Sequence, residues 1–569
     1  MPSSRIGAVA AFLVAAAMLF WHLGGPALMQ PDEGRNAEVA REMSASGDWL
    51  VPTLEGQPYL DKPAFFFAAG ALAMRALGVS ELAARLPSAL SAAALLGLLF
   101  AFLRRRYDGS SAACAVVVLA TSPMVFFHAR IVIFDMMLAL FMTAAVLASF
   151  EAEEREGGPR VALHLSGAAA AGLATLVKGP VGFVVPGLVV AAFFLADGRP
   201  AALRRTFGPA SLAVFLAVVL PWFAALVRAH PDFLRYGLVE ETLHRFTRPA
   251  FERGGPPWYY VPILAGGLLT WFAALPGAAI GAWRRRRLLS RTDRLLVVWT
   301  LTVFVFFSLS RTKHAGYVLP GIVPLGALLG RVFALAVREP AGAAARTAAR
   351  AAGVLGALAL ALGALLAWEM RHPGTLAALG KLEPDDAHWL GGAAAALLAG
   401  LGATAALGAF AFARRAPRAA LAAFAVLPVA LVTAGYPGIA AYAEGRSARP
   451  LAAALAGLPR GADVAFVESY AAGLSFYLGR TVTLISDDGA PLRSNYVVRS
   501  LRLAGAHPPG IVPVAEREAW LASRPGPVCL LARGGGRSFL EEAARARGSE
   551  AALLAPGWWG AVLPGPAGP

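Results

Sequence analysis

The feature that most limits what this chain can fold into is a succession of apolar stretches, each about 20 residues long, separated by short loops that carry arginine. Roughly twenty apolar residues in a helix are long enough to cross the hydrocarbon of a bilayer. Composition agrees: 57% of the 569 residues are hydrophobic and only 15% are charged, whereas ordinary soluble domains carry roughly 25% charged residues. A formal net charge of +16 suggests nucleic acid as a partner at first sight. The arginines, however, fall in short clusters between apolar stretches and form no basic domain, which excludes that class. Cys114 lies in an apolar stretch and Cys529 near the other end, so no disulfide framework and no CxxC spacing is present.

Thirteen stretches qualify as membrane helices, at about 6–23, 84–103, 111–127, 134–150, 161–177, 180–196, 209–228, 258–282, 295–309, 316–336, 351–368, 389–412 and 419–440. The first follows Arg5 and reads as an anchor in preference to a cleaved signal peptide, since no small-residue cleavage site precedes Gln30. A cytoplasmic N-terminus places Arg104-Arg105-Arg106, Glu151 to Arg160, Asp197 to Arg205, Arg284 to Arg294, Arg338 to Arg350 and Arg414 to Arg418 in the cytoplasm. All six loops carry Lys or Arg, as the positive-inside rule requires; the acid-rich loop at Glu151 fits least well. An odd span count then puts the chain from Ala441 onward outside the cytoplasm.

The expected organisation is a transmembrane module, 1–440, including a first outer loop at 24–83, followed by a C-terminal domain, 441–569. In the outer loop, Arg35 to Met43 reads as a short helix with Asp32 as its N-cap. Trp49, Tyr59 and Phe65 to Phe67 suggest that the loop lies on the membrane surface. In the tail, Asp463 to Glu468, Arg480 to Ile485 and Pro527 to Arg533 read as strands. Helices are expected at Tyr470 to Leu478, Glu516 to Ser523 and Ser538 to Arg547, which makes a small α/β domain.

Ionisable residues at a membrane boundary are costly unless paired or hydrated, so they mark candidate chemistry. Five sets gather at the outer ends of the spans: Asp32-Glu33 with Arg35; Asp61-Lys62; Asp135; Lys178-Gly179-Pro180; and Arg311-Thr312-Lys313-His314. Their functional reading is one outward-facing cavity, in which lysine and arginine neutralise a phosphate leaving group and an acid activates an acceptor hydroxyl. Each also has a plain structural reading. Asp32 caps a helix, Asp61-Lys62 is an exposed ion pair, and Lys178 snorkels from a helix end. Asp135, between Phe134 and Met136-Met137, is the hardest to dismiss in this way, because a carboxylate there needs a partner or water. The nine histidines show no HExxH spacing, and His128, His244 and His314 fall on the outer side.

The stretch 31–67, PDEGRNAEVAREMSASGDWLVPTLEGQPYLDKPAFFF, resembles the first outer loop of bacterial GT-C glycosyltransferases, in particular the lipid A aminoarabinose transferases and the related protein O-mannosyltransferases. ELAARLPSAL (81–90), ARIVIFDMM (129–137), LVKGPVGFVVP (176–186), ETLHRF (241–246), PPWYYVPILAGGLLTWFAALP (256–276) and RTKHAGYVLPGIVPL (311–325) follow in the family's order. The resemblance implies an inverting transferase that takes its sugar from a polyprenyl-phosphate donor at the periplasmic face of the inner membrane. The acceptor would be lipid A, another glycan or a protein. It implies catalytic roles for Asp32 and Asp135, and donor-phosphate or substrate contacts for Lys62, Lys178 and Tyr317; Arg35, Glu33, Arg311 and Lys313, from the same sets at the outer boundary, are expected to share those contacts. No organic cofactor is expected. The family's Glu-His-x-x-Arg-Phe is here Glu241-Thr242-Leu243-His244-Arg245-Phe246, which leaves Asp61 and His244 as weak candidates for a divalent metal. The rivals are a secondary transporter or lipid flippase, and a non-catalytic paralogue. Transporters tend to show paired repeats and helices broken at the midplane, and neither pattern is visible in this sequence.

Overall fold

The computed structural model of the chain describes residues 2–244, 254–372, 387–459, 461–504 and 507–565. It divides into two compact units: residues 1–23, 85–228 and 238–441 form the first, and residues 24–84, 229–237 and 442–569 the second.

The first unit is helical. Among the described residues, nine helices of the chain are long and apolar enough to cross a membrane, or eleven if two bent pairs each count as one span. The bends are 69° between Gly109–Ala120 and Pro123–Ala129, and 54° between Pro417–Thr433 and Tyr436–Gly445. In the first pair Pro123 starts the second helix, where its missing N–H costs nothing, and it disfavours helical backbone in the residue before it. Two of the thirteen expected spans are shorter apolar helices, Arg5–Phe20 and Val181–Ala196. Val181–Ala196 has 16 residues, bounded by Gly179-Pro180 and Asp197. It reaches about 24 Å, short of a hydrocarbon core of about 30 Å.

Trp271, fully buried, ties three segments of this unit together. Its indole N–H donates to Thr121 Oγ1 at 2.9 Å, its ring stacks on Phe424 at 5.1 Å, and it meets Phe333 edge-on at 5.4 Å. The arginine-bearing ends of the helices are closed by ion pairs. Arg106 holds Glu151 (2.8 Å) and Glu154 (3.0 Å), Arg205 holds Glu153, and Arg291 and Arg294 hold Asp197 at 2.7 and 2.8 Å. The acids of the 151–160 loop, which fit the charge rule least well, are thus the partners that its neighbouring arginines need.

The second unit joins the first outer loop to the tail. The loop supplies the helices Asp32–Ser46 and Phe65–Leu77 and a short hairpin, β1 (Thr53–Leu54) and β2 (Gln57–Pro58). The tail supplies a six-stranded sheet from β3 (Asp463–Val467), β4 (Thr483–Ile485), β5 (Ile511–Val512), β6 (Val528–Ala532), β7 (Ala552–Ala555) and β8 (Trp558–Leu563), in the order β5-β4-β3-β6-β8-β7. The first four are parallel, and β8 and β7 add antiparallel at one edge. β3 and β6 lie centrally and are almost wholly buried, which is why they read as continuous apolar runs. Val467, Leu530, Ala532, Phe539 and Leu540 lie in the sheet's core cluster.

Loop and tail are held together by charge as well as by apolar packing. Ten of the 15 residues of Asp32–Ser46 are buried, among them Glu33, Asn36, Glu38, Arg41 and Glu42. Glu38 accepts two hydrogen bonds from Arg41, at 2.8 and 2.6 Å. Glu42 accepts from Thr53 Oγ1 and from the N–H groups of Glu55 and Gly56. Glu55 in turn accepts from Tyr470 Oη (2.5 Å), Ser475 Oγ and the Val482 N–H (2.7 Å). Gly34 rests on the tail so closely that a Cβ there would lie 2.3 Å from the Ala472 carbonyl oxygen. The aromatic residues expected at a membrane surface are mostly elsewhere: Tyr59, Phe66 and Phe67 are buried, with Tyr59 edge-on to Phe67 at 5.8 Å. Trp49 is exposed, under the Arg75 guanidinium at 4.7 Å.

Candidate active site

Asp135 is the first residue of the helix Asp135–Ala152, and its side chain is only 2% exposed. Its Oδ1 accepts a hydrogen bond from Lys178 Nζ at 2.7 Å, and its Oδ2, equally buried, has no hydrogen-bond partner. Lys178 reaches it from the last turn of Gly157–Lys178, which stops at Gly179 (φ +78°). The same ammonium lies 5.2 Å from the centre of the Tyr317 ring, a distance at which the ring's negative face attracts a cation. His128 completes the group. Its Nδ1 lies 2.7 Å from the Met124 carbonyl oxygen, which fixes Nδ1 as the donor and leaves Nε2 an acceptor in the neutral ring. Gly316 lies between these groups: a Cβ there would come within 2.9 Å of His128 Nε2 and 3.2 Å of Asp135 Oδ1. His314 Nδ1 accepts from the Gly316 N–H at 3.2 Å and starts the turn that presents Tyr317. The first unit therefore gathers His128, Asp135, Lys178, His314 and Tyr317.

Lys313, expected at the donor phosphate, is engaged at a helix end. Its ammonium donates to the carbonyl oxygens of Phe307 (3.0 Å), Ser308 (2.6 Å) and Ser310 (2.6 Å), closing the end of the helix Arg291–Leu309. An ammonium has three N–H groups, and all three are used. Arg311 is exposed and makes no hydrogen bond or ion pair among the described residues.

In the second unit Asp32 is not the N-cap expected of it. The helix begins at Asp32, Pro31 occupies the cap position, and no side chain caps it. The Asp32 carboxylate instead takes the Arg35 guanidinium at 2.5 Å, one turn on, with 45% of its side chain exposed. Arg35 is 13% exposed, donates also to the Arg493 carbonyl at 3.1 Å and lies 5.8 Å from the Tyr59 ring centre. Glu33 turns away from these groups, and its Oε2 accepts from the Met29 N–H at 3.0 Å. Lys62 donates to the carbonyl oxygen of Asp61 at 2.6 Å.

Asp61, a metal candidate in the sequence, is fully engaged in hydrogen bonds in this structure. Asp61 is 8% exposed and accepts from Tyr236 Oη and the Tyr496 N–H on one oxygen, and from the Asn495 N–H on the other. Those amides open the helix Asn495–Ala504, so the carboxylate satisfies orphan donors at a helix start. The side chain of His244, with residues 245 and 246 of the same motif, lies outside the described residues. Among the described residues, the acids whose oxygens converge closely enough for a metal are Glu38, Glu42 and Glu55. Their oxygens already accept the hydrogen bonds described above. Burial pushes the carboxyl of Glu38 up to about 8 and that of Glu55 up to about 7.

Sequence reasoning did not foresee this acidic interior, the Tyr236 partner of Asp61, or the place of Gly316. The first depends on tail partners more than 400 positions from Glu55 and the second on residues 175 positions apart, while Gly316 carried a local signal, a glycine between His314 and Tyr317 ahead of a span.

Residues 61–224 match the family model described as dolichyl-phosphate-mannose-protein mannosyltransferase. Undecaprenyl phosphate-alpha-4-amino-4-deoxy-L-arabinose arabinosyl transferase 1 of Sodalis glossinidius is 36% identical over 376 residues, covering 64% of this chain and 66% of that protein. The arabinosyl transferase of the same description from Edwardsiella ictaluri is 33% identical over 313 residues, covering 54% and 56%. The matched part of the chain thus spans just under two thirds of the first relative and a little over half of the second. Among solved structures, ArnT from Cupriavidus metallidurans bound to undecaprenyl phosphate matches with a TM-score of 0.80 at 24% identity, over 99% of both chains. Its apo state matches with 0.79 over 97% of both. The architecture, tail domain included, is therefore shared over the whole length.

Proposed function

Because the chain belongs to the GT-C family of membrane glycosyltransferases, we propose that it transfers a sugar from a polyprenyl-phosphate donor to lipid A, a glycan or a protein, with inversion at the anomeric carbon. The observation that carries the reading is Asp135, a carboxylate buried at the start of a span, with one oxygen held by Lys178 and the other without a protein partner. A buried acceptor of that kind costs about 1–3 kcal/mol unless something fills it. A sugar hydroxyl would fill it. The relatives' names specify undecaprenyl phosphate and a 4-amino-4-deoxy-L-arabinose group, which supports a lipid-phosphate donor here.

In the proposed reaction the acceptor oxygen attacks the anomeric carbon, and the bond from that carbon to the phosphate oxygen breaks. The leaving polyprenyl phosphate keeps the electron pair. Cations stabilise that developing charge more effectively than a proton donor would. Lys178 takes this role, held in place by Asp135 and by the face of Tyr317; for Lys62 and Arg35 the same role is an expectation from the sequence. Asp32, 45% exposed and paired on one side only, accepts the proton of a hydroxyl acceptor. A phosphate acceptor is already ionised, and Asp32–Arg35 then orients it. Lys313 and Asp61 are structural in this reading. No step passes through a metal.

The test is transfer by the purified full-length protein from a defined undecaprenyl-phosphate sugar to lipid A, a glycan and a peptide, each in turn. Turnover with one of the three is expected, and Asp32→Asn loses it at least a hundredfold with unchanged thermal stability. Asp32→Asn at near wild-type turnover overturns the assignment of the base. We also place the tail in the periplasm, on the strength of the arginine-bearing loops and their mutual ion pairs. An alkaline phosphatase fused at Gly461 should be active, whereas a fluorescent green fluorescent protein fusion at that site would reverse the orientation.

A further inference from the structure

A cavity of about 220 Å³ opens among the helices of the first unit, away from the site described above. Its walls include Ala145 and Ser149 of Asp135–Ala152, Gly167 of Gly157–Lys178, Phe183 and Gly187 of Val181–Ala196, and Phe215 of Pro209–Ala229. Asp135 and Lys178 stand at the far ends of the first two of these helices. The wall is apolar: even the Ser149 hydroxyl turns back to the Ala145 carbonyl oxygen, at 2.8 Å. A dry cavity of about 150 Å³ with such a lining binds an apolar guest the size of benzene, so one of about 220 Å³ has room for part of an acyl chain.

The mouth of the cavity has a different chemistry. Thr206 and Phe207 line it at the end of the short helix Ala201–Thr206, and the Thr206 hydroxyl oxygen is buried with no hydrogen-bond partner. Arg204, three residues before Phe207 in the same short helix as Thr206, is exposed and makes no ion pair among the described residues. Its neighbours are not available in this way: Arg205 is paired with Glu153, and Arg199 lies 3.6 Å from Asp197. One exposed arginine without an ion pair therefore stands two residues from an unpaired hydroxyl that lines an apolar slot, which runs about 10 Å along Val181–Ala196 from Val190 to Phe183.

We propose that this cavity binds one acyl chain of an anionic phospholipid, with the lipid phosphate on Arg204 and a phosphate or ester oxygen accepting from Thr206. Basic mouths between membrane helices are suited to such headgroups. The lipid would fill the gap between these four helices and satisfy the Thr206 hydroxyl. The inference rests on the reading of these helices as membrane-embedded and not on the transfer reaction.

The test is native mass spectrometry of the full-length protein in detergent, with phosphatidylglycerol, phosphatidylcholine or undecaprenyl phosphate added separately. Phosphatidylglycerol is expected to be retained at least five-fold more than phosphatidylcholine, and Arg204→Gln should remove that preference. Gly187→Leu puts a side chain into the slot from a wall position where a Cβ meets nothing closer than Phe207, at 3.8 Å. It should abolish retention of either phospholipid while leaving transfer activity and lipid-free thermal stability unchanged. Equal retention of the two phospholipids, or wild-type retention in both variants, overturns the proposal. So does undecaprenyl phosphate binding that Gly187→Leu alone removes, since the slot would then belong to the donor's tail.

Discussion

Replacing Lys178 by Met tests whether the Asp135–Lys178 pair serves chemistry or only stability. The two charges are 2.7 Å apart, with side-chain exposures of 13% for Lys178 and 2% for Asp135. Coulomb's law at an effective dielectric of about 20 makes their attraction about 6 kcal/mol. Most of that offsets the cost of taking both charges out of water, so the pair adds little net stability. Breaking it from one side is different. Lys178→Met leaves a buried carboxylate with neither oxygen paired, which costs about 3–5 kcal/mol. The double variant Asp135→Asn/Lys178→Met removes the uncompensated charge and should recover most of that loss. The assays are the unfolding midpoint in detergent and turnover with a defined undecaprenyl-phosphate sugar. Lys178→Met is expected to lower the midpoint by several degrees, the double variant to stand near the wild type, and all variants to lose transfer at least a hundredfold. A double variant that regains a tenth of wild-type turnover would show the pair to be scaffolding. A Lys178→Met protein of unchanged stability would refute the electrostatic argument itself.

Lys313→Met should lower the unfolding midpoint, because it strips three carbonyl oxygens of their donor, a loss of about 1–3 kcal/mol. The apparent KM for the donor should change less than two-fold, and a tenfold rise would return Lys313 to the phosphate site. The buried acids of the second unit predict a pH dependence of stability. Glu38 and Glu55 are raised to about 8 and about 7, so from about pH 4.5 upward the native state keeps protons that the unfolded chain releases. Their contribution is therefore full below about pH 4.5 and is lost as pH rises through 7 and 8. For Glu55 alone the loss is about 3 kcal/mol. The unfolding midpoint should fall between pH 5 and pH 8, and Glu55→Gln should flatten that slope; a slope unchanged in the variant would count against it.

Much of this molecule is written locally. Apolar length and arginine placement determined the helical membrane class, since the period of a helix and the thickness of a bilayer leave few alternatives for such stretches. Thirteen stretches were legible as apolar helices, but whether 181–196 is long enough to span depended on where Gly179-Pro180 and Asp197 stop it. The central strands β3 and β6 were legible for the same kind of reason, as short runs buried on both faces. The two-residue β5 and the hairpin of β7 and β8, which turns at Gly557 (φ +72°), were not, because their order comes from neighbours on the sheet.

The candidate site divides in the same way. Asp135 stood out in the sequence because a lone carboxylate beside Phe134 and Met136 is too costly to leave unpaired. That Lys178 pairs with it, that Lys313 closes a helix end, and that Asp61 holds the start of Asn495–Ala504 were decided only in three dimensions. All of these are charged residues at helix ends, and the sequence offers each of them the same choices: solvent, a ligand, a counter-charge or an orphan backbone group. Which one is taken depends on groups brought within about 3 Å by folding, and in the case of Asp61 those groups lie more than 430 residues away.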